Sequence, residues 1–181
     1  MINRMGKITP SKTVKLFVGM LSSDISLFER LKSELEVLFG PCDIEGPIWE
    51  WRHSDYYAME MGRDLKRRFI FFQGLIEPDS ITEIKLKTNE LEMGYLNERG
   101  GRRINLDPGY LDEARVVLVS TKDYSHRLYL RDGIYGEVTL IYSKGNYQAL
   151  PYTYPDFRTE EYRGLFKQVR NNLKLTRPQT L

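Results

Sequence analysis

Between Arg102 and Arg158 the chain sets ionisable and polar side chains into runs that otherwise read as β-strand: Arg103, Asn105, Asp107, Lys122, Asp123, His126, Arg127, Glu137, Tyr154, Asp156 and Arg158. A strand interior keeps such groups only when they are solvated, paired or turned toward a site, because an unpaired buried charge costs several kcal/mol or gives up its charge. The pattern predicts a polar pocket on a sheet. Glu137 lies in the apolar run from Ile134 to Tyr142, so its carboxylate needs a partner, which Lys122 or Arg127 can supply. Such a carboxylate is either half of a structural ion pair or a group with acid–base work to do. His126, three residues after Asp123, is the second catalytic candidate, orienting a group beside Glu137. His53 and Asp55 could join His126 and Asp123 around a divalent ion, but this spacing alone defines no metal.

Arg103, Lys122 and Arg127 are the residues expected to bind an anion. Asn105 and Asp107 fall on the same strand face as Arg103 by the two-residue period, with Ile104 and Leu106 on the other. Asp55, Tyr56 and Tyr57, in a long stretch without clean periodicity, are placed to close over such a site. A glycine turn followed by arginines, Gly100 to Arg103, offers a second way to hold phosphate, against the plainer reading of a solvated basic turn.

Several familiar chemistries are excluded. No Gly-x-x-x-x-Gly-Lys-Ser/Thr phrase occurs, and Thr121-Lys122-Asp123-Tyr124 has its aspartate one place too early for guanine recognition by a GTPase. Two-histidine phosphoesterases need Ser or Thr two places after each histidine, where this chain has Asp55 and Leu128. Tyrosines are abundant but do not form the glycine and aromatic phrase of an RNA-recognition strand. The basic series Arg163, Lys167, Arg170, Lys174 and Arg177 could touch RNA, yet reads more simply as a solvated helix face. A formal net charge of +2 gives no general footprint for nucleic acid.

These side chains need elements to hold them. Val14 to Met20 reads as a buried strand, and Leu27, Phe28, Leu31, Leu35 and Leu38 repeat at helical spacing up to Gly40-Pro41, predicting a helix over about 24–39 capped by Ser22 or Ser23. A strand over 43–51, broken at Gly46-Pro47, and a strand over 67–76 follow. A second helix begins near Pro78-Asp79, with Ile81, Ile84, Leu91 and Tyr95 inward, and stops at Gly100-Gly101. With Arg103 to Asp107 as the next strand, the order is βαββαβ, the split βαβ or ferredoxin-like pattern. Asp107-Pro108-Gly109-Tyr110 reads as a turn. Strands over 115–122, 126–131 and 134–142 then predict an antiparallel meander, with a hairpin at Asp132-Gly133 and another at 143–146, and a C-terminal helix runs over about 159–173 with Thr159 as cap. The fold class expected is therefore α+β in a single domain over 1–181, with 1–12 and 175–181 loosely ordered.

The composition suits that plan: 41% hydrophobic residues over 181 positions are enough for a core without staples. Cys42 is the only cysteine, so no internal disulfide can form, and with no apolar leader or spanning stretch the expected setting is the cytoplasm, away from membranes.

Longer phrases carry a resemblance. Ser54-Asp55-Tyr56-Tyr57, Glu60-Met61-Gly62, Lys85-Leu86-Lys87-Thr88-Asn89, Asn105-Leu106-Asp107-Pro108-Gly109-Tyr110, Ser120-Thr121-Lys122-Asp123, His126-Arg127-Leu128-Tyr129-Leu130, Gly133-Ile134-Tyr135-Gly136-Glu137-Val138-Thr139-Leu140 and Thr153-Tyr154-Pro155-Asp156 together resemble the prokaryotic family catalogued as domain of unknown function 4416. Ser54 and Gly136 depart from the threonine and alanine expected there. The resemblance implies a small intracellular protein and carries no activity, cofactor or site residue. The residues themselves predict a site for a small anionic, phosphate- or carboxylate-bearing ligand, catalytic or not. An RNA-associated or protein-interaction module is the alternative. Cofactor, metal, reaction and oligomeric state are not fixed by the sequence.

Overall fold

The structure is a computed structural model that describes residues 6, 8–54 and 57–176. Its strands are β1 (Val14–Ser22), β2 (Cys42–Glu45), β3 (Trp49–Glu50), β4 (Lys66–Ile76), β5 (Asn105–Leu111), β6 (Arg115–Ser120), β7 (Leu128–Arg131), β8 (Ile134–Ser143) and β9 (Asn146–Ala149). The helices are α1 (Ser26–Phe39), a single turn α2 (Ala58–Met61), α3 (Ile81–Met93) and α4 (Glu160–Thr176). All the strands join one antiparallel sheet, in the order β2-β4-β1-β5-β6-β8-β7, with β3 on β4 and β9 on β8. The α+β class and the C-terminal helix are as expected. No helix among the described residues is long and apolar enough to cross a membrane.

The sheet is covered on both faces, which the central strand β1 records by being buried at every position. Leu16, Val18 and Met20 point to one side and pack with Leu27, Phe28, Leu31 and Leu35 of α1 and Ile81 and Ile84 of α3. Phe17 points to the other side, where Phe69 and Phe71 of β4 meet Tyr162, Phe166 and Val169 of α4. Ring contacts there are mostly edge-to-face, at 4.9–6.0 Å between Phe17, Phe69, Phe166 and Tyr162, the arrangement that π quadrupoles favour.

Three local expectations are corrected. The first helix begins at Ser26, and Asp24 rather than a serine serves its first turn by accepting hydrogen bonds from the Ser26 amide and hydroxyl. Asp107-Pro108-Gly109-Tyr110 is no turn but the interior of β5. Gly109 is needed there for close approach: a Cβ would lie 2.4 Å from the Val117 carbonyl and 2.5 Å from the Phe17 ring. The turn comes at Asp112, whose carboxylate accepts the amides of Ala114 and Arg115. Finally, a simple meander would place β7 between β6 and β8, whereas β8 lies between them. Segment 121–127 carries the chain past β8, so the long, largely buried β8 pairs with β6 and the short, exposed β7 takes the edge. Asp132 and Gly133, at φ of 52° and 75°, form the tight turn read from the sequence.

The site depends on how β5 meets β6. The two pair only at Gly109–Leu111 with Val116–Leu118. Before that the strands separate, and the backbone of Leu106 lacks a strand partner on this side. Two polar side chains of α3 replace it: Lys85 donates to the Leu106 carbonyl at 2.8 Å, and Glu92 accepts the Leu106 amide at 2.6 Å. This explains why α3 turns Lys85, Thr88 and Glu92 inward along with Ile81 and Ile84, while Leu91 is only half-buried.

Candidate functional site

A cavity of about 540 Å³ opens where β5 and β6 part, on the face of the sheet that α4 covers further along. Its lining includes Asn105 and Asp107 of β5, Leu118 to Ser120 of β6 and Glu137 of β8. Arg67 of β4 shares a strand face with Phe69 and Phe71. The two phenylalanines reach α4, and Arg67 lies beyond them in the cavity wall. The remaining lining comes from Trp51, His53, Ser54 and Tyr57, from Lys85 and Asn89 of α3, from Arg102, and from the 121–127 and 152–157 segments.

Three polar groupings meet here. In the first, Glu137 is held by Arg127 Nε at 2.8 Å, lies 3.0 Å from His126 Nε2, and accepts from the Thr139 hydroxyl at 3.3 Å. Arg127 also donates to the Lys122 carbonyl at 2.8 Å and to the Tyr154 hydroxyl. The His126 ring lies nearly parallel to those of Tyr152 and Tyr124, at 4.4 and 6.1 Å. Glu137 and Arg127 side chains are each 2% accessible, that of His126 23%.

In the second, buried Arg67 donates to Asp107 at 2.8 Å and stands 3.7 Å from Asp156, which accepts from Trp51 Nε1 at 2.9 Å. Burial raises the Asp107 carboxyl, but the charges of Arg67 and Lys85 outweigh it and hold the group below its ordinary range. In the third, Arg102 grips both oxygens of Glu60 and donates to Glu92 and Asn105. Burial pushes the Glu92 carboxyl up despite Lys85, whereas the Arg102 hydrogen bond holds that of Glu60 down. Burial also raises the hydroxyl of Tyr57, and the nearby charge of Asp107 adds to the effect.

The structure thus brings together Glu137, His126, Asn105, Asp107, Lys122, Arg127 and Tyr57. Arg103 is not among them. It lies before β5 begins, is half exposed, and pairs with Asp24 at 2.7 Å. The neighbouring Arg102 is the arginine that enters the cavity. The glycine turn before it is no open phosphate loop either: the Gly101 amide donates to Asn97, and that of Arg102 to Glu60. Asp55 and Tyr56 lie outside the described residues. His53 and His126 both line the cavity, yet among the described residues no three His, Cys, Asp or Glu side chains converge as metal ligands.

Arg67, Lys85, Trp51 and Tyr152 are cavity residues that the sequence pattern does not single out, while Arg102 and Asp156 enter it from the glycine turn and the charged pattern named above. Arg67 carried a signal, being a charge at an inward position of a strand otherwise continued by Phe69 and Phe71. Lys85, Trp51 and Tyr152 depend on tertiary placement.

No match is found among curated proteins or among solved structures. The phrases that carry the cavity residues fall inside a segment, residues 12–173, that matches a family profile, and the chain belongs to that family, described as Domain of unknown function (DUF4416).

Proposed function

We propose that the chain binds a small anionic ligand, bearing phosphate or carboxylate, in the cavity between β5 and β6. The observation that carries this reading is the charge that faces the space. Among the described residues, five cationic side chains line it, Arg67, Lys85, Arg102, Lys122 and Arg127, against three carboxylates, Asp107, Glu137 and Asp156. Two of those carboxylates are almost closed off, at 2% accessibility for Glu137 and 5% for Asp156. Glu60 and Glu92 offset Arg102 but are not part of the lining. A concave site of a few hundred Å³ with convergent polar groups is the usual form of a small-molecule pocket.

Acid–base work in this cavity suits an exchange of the roles read from sequence. Glu137 is enclosed and committed to Arg127 and Thr139, so it orients the imidazole, and His126 is the group able to exchange a proton with a ligand. The reading extends to the frame and setting: one domain, a ferredoxin-like first half in keeping with the order β2-β4-β1-β5, and a cytoplasmic location in keeping with a lone cysteine.

The test is a thermal-unfolding screen against inorganic phosphate, sugar phosphates, nucleotides and dicarboxylates. A ligand at one hundred times its Kd adds about 2.7 kcal/mol, which raises Tm by roughly 5–10 °C in a chain of this size. The shift should be lost in Lys122→Ala and Glu137→Gln proteins that still fold. No shift with any anion, together with stabilisation by short RNA that fades with salt, would replace this reading by that of an RNA-associated module. The basic face of α4 gives little support to that alternative, since Arg163 and Arg170 already donate to the Tyr147 and Glu113 carbonyls.

A further inference from the structure

Resting on that anion-site reading, we infer that the ligand also carries a planar heterocycle with N–H groups, so that its class is a nucleoside monophosphate, free or at the end of a strand. The inference begins with Asn105 and Asp107. They stand two residues apart on β5, face the same side and both line the cavity. Asn105 is 4% exposed; its Oδ1 accepts from Arg102 at 2.9 Å, and its Nδ2, which lies on the Asp107 side, makes no close hydrogen bond among the described residues. A buried amide donor left without a partner costs about 1–3 kcal/mol, which a ligand acceptor would recover. Asp107 gives one oxygen to Arg67 and, unlike Glu137 and Asp156, keeps 29% of its side chain accessible. Held ionised below the ordinary carboxyl range, it is an acceptor at neutral pH.

A donor without a close partner beside an ionised acceptor matches the edge of a nucleobase, in which N–H groups and carbonyl or ring-nitrogen acceptors alternate. A dicarboxylate offers Asp107 no donor and brings negative charge toward it, and a bare sugar phosphate, whose hydroxyls can donate to Asp107, has no flat ring to set against the aromatic side chains of the cavity. The rings around the cavity agree. Trp51 and Tyr57 make an edge contact at 5.7 Å on the side of Arg102, and Tyr124, Tyr152 and His126 form a nearly parallel set on the side of Arg127. Flat aromatic faces are suited to a planar ring.

The experiment is titration calorimetry of the full chain with AMP, GMP, CMP and UMP, and with ribose 5-phosphate and inorganic phosphate. At least one nucleotide should bind about tenfold or more tightly than ribose 5-phosphate, the worth of roughly one good hydrogen-bonded pair in a desolvated site. Asn105→Asp keeps the shape and the acceptor for Arg102 while removing the donor, and Asn105→Ala removes both. In whichever of the two folds, the ratio of nucleotide to ribose 5-phosphate affinity should fall to about one. An RNA trimer ending in a phosphate that binds ten times better than the best mononucleotide would identify a strand end as the source. Equal affinity for ribose 5-phosphate and all four nucleotides, or an advantage that survives both substitutions, would overturn the heterocycle inference and leave the anion site standing. Failure of every phosphate compound to bind would overturn the nucleotide inference, and the anion-site reading falls with it if the dicarboxylates of the thermal screen also give no shift.

Discussion

The guanidinium of Arg67 reaches the carboxylate of Asp107 across the bare backbone of Gly19. Arg67 is on β4 opposite Leu21, and Asp107 is on β5 opposite Gly19, so β1 lies between them. They nevertheless meet at 2.8 Å. A Cβ on Gly19 would sit 3.0 Å from Arg67 Nη1 and 2.9 Å from the edge of the Phe69 ring, with both neighbours fixed in a packed interior. Gly19→Ala should therefore cost about 1–3 kcal/mol, the usual range for overpacking, measured as a lower denaturant midpoint with an unchanged slope. Wild-type stability in this variant would mean that Arg67 can shift freely, and the cavity wall would then be softer than described.

Adjacent arginines on β4 separate a buried pair from a surface one. The Arg67 side chain is 4% accessible and serves Asp107 and Asp156, whereas Arg68, facing the other side, pairs with Glu29 and Glu45 near solvent. Removing Arg67 leaves two carboxylates without their cation, a loss of about 3–5 kcal/mol by analogy with broken buried pairs. Removing Arg68 should cost nearer to about 1 kcal/mol. Comparing Arg67→Met with Arg68→Met by chemical denaturation checks this, and equal costs would refute a structural role for the Arg67 network.

Acid should unfold the protein through the same network. A carboxyl with a folded pKa below its unfolded one stabilises the fold at pH above the unfolded value, and that contribution is lost as pH falls through the folded value. Asp107, Glu60 and Glu45 are all held down, Asp107 by Arg67 and Lys85 against its burial, the other two chiefly by hydrogen bonds from Arg102 and Lys32. Glu92, pushed up by burial, works in the opposite sense and gains on protonation at somewhat higher pH. The urea midpoint should accordingly drop steeply only below about pH 4. Asp107→Asn, already less stable at neutral pH, should show a shallower drop, and a slope identical to wild type would remove Asp107 from the acid transition.

How much of this was legible follows from which residues act locally. The α1 period, the Asp132-Gly133 hairpin and the Thr159 start of α4 depend on near neighbours, and the structure has them. Arg103 failed because the two-residue period was extended two positions before β5 begins, where Asp24 takes the side chain outward. Pro108-Gly109 carried the composition of a turn, but glycine there serves the approach of Phe17 and Val117, a requirement set by strands distant in sequence. Lys85 and Glu92 look like surface residues of a helix, and only the parting of β5 from β6 gives them the Leu106 backbone to satisfy. The charged strand residues were legible because an ionised group in an apolar run needs a partner wherever the chain goes.

Glu137 and Arg127 allow structural pairing to be separated from ligand chemistry. Both side chains are 2% accessible, so Glu137→Leu alone strands a buried cation and should cost about 3–5 kcal/mol. Arg127→Met alone should cost a similar amount, because Glu137 then keeps only His126 and Thr139. Together the two substitutions remove both charges, and well-packed apolar replacements of a buried pair are often neutral or stabilising. The double variant should thus recover most of the lost stability, giving a coupling of several kcal/mol in a double-mutant cycle. Anion binding should not recover with it, since the cavity has lost one cation and His126 has lost the carboxylate that orients it. Restored folding with restored binding would show that the pair is purely structural and would move the ligand to the Arg67 and Arg102 side of the cavity.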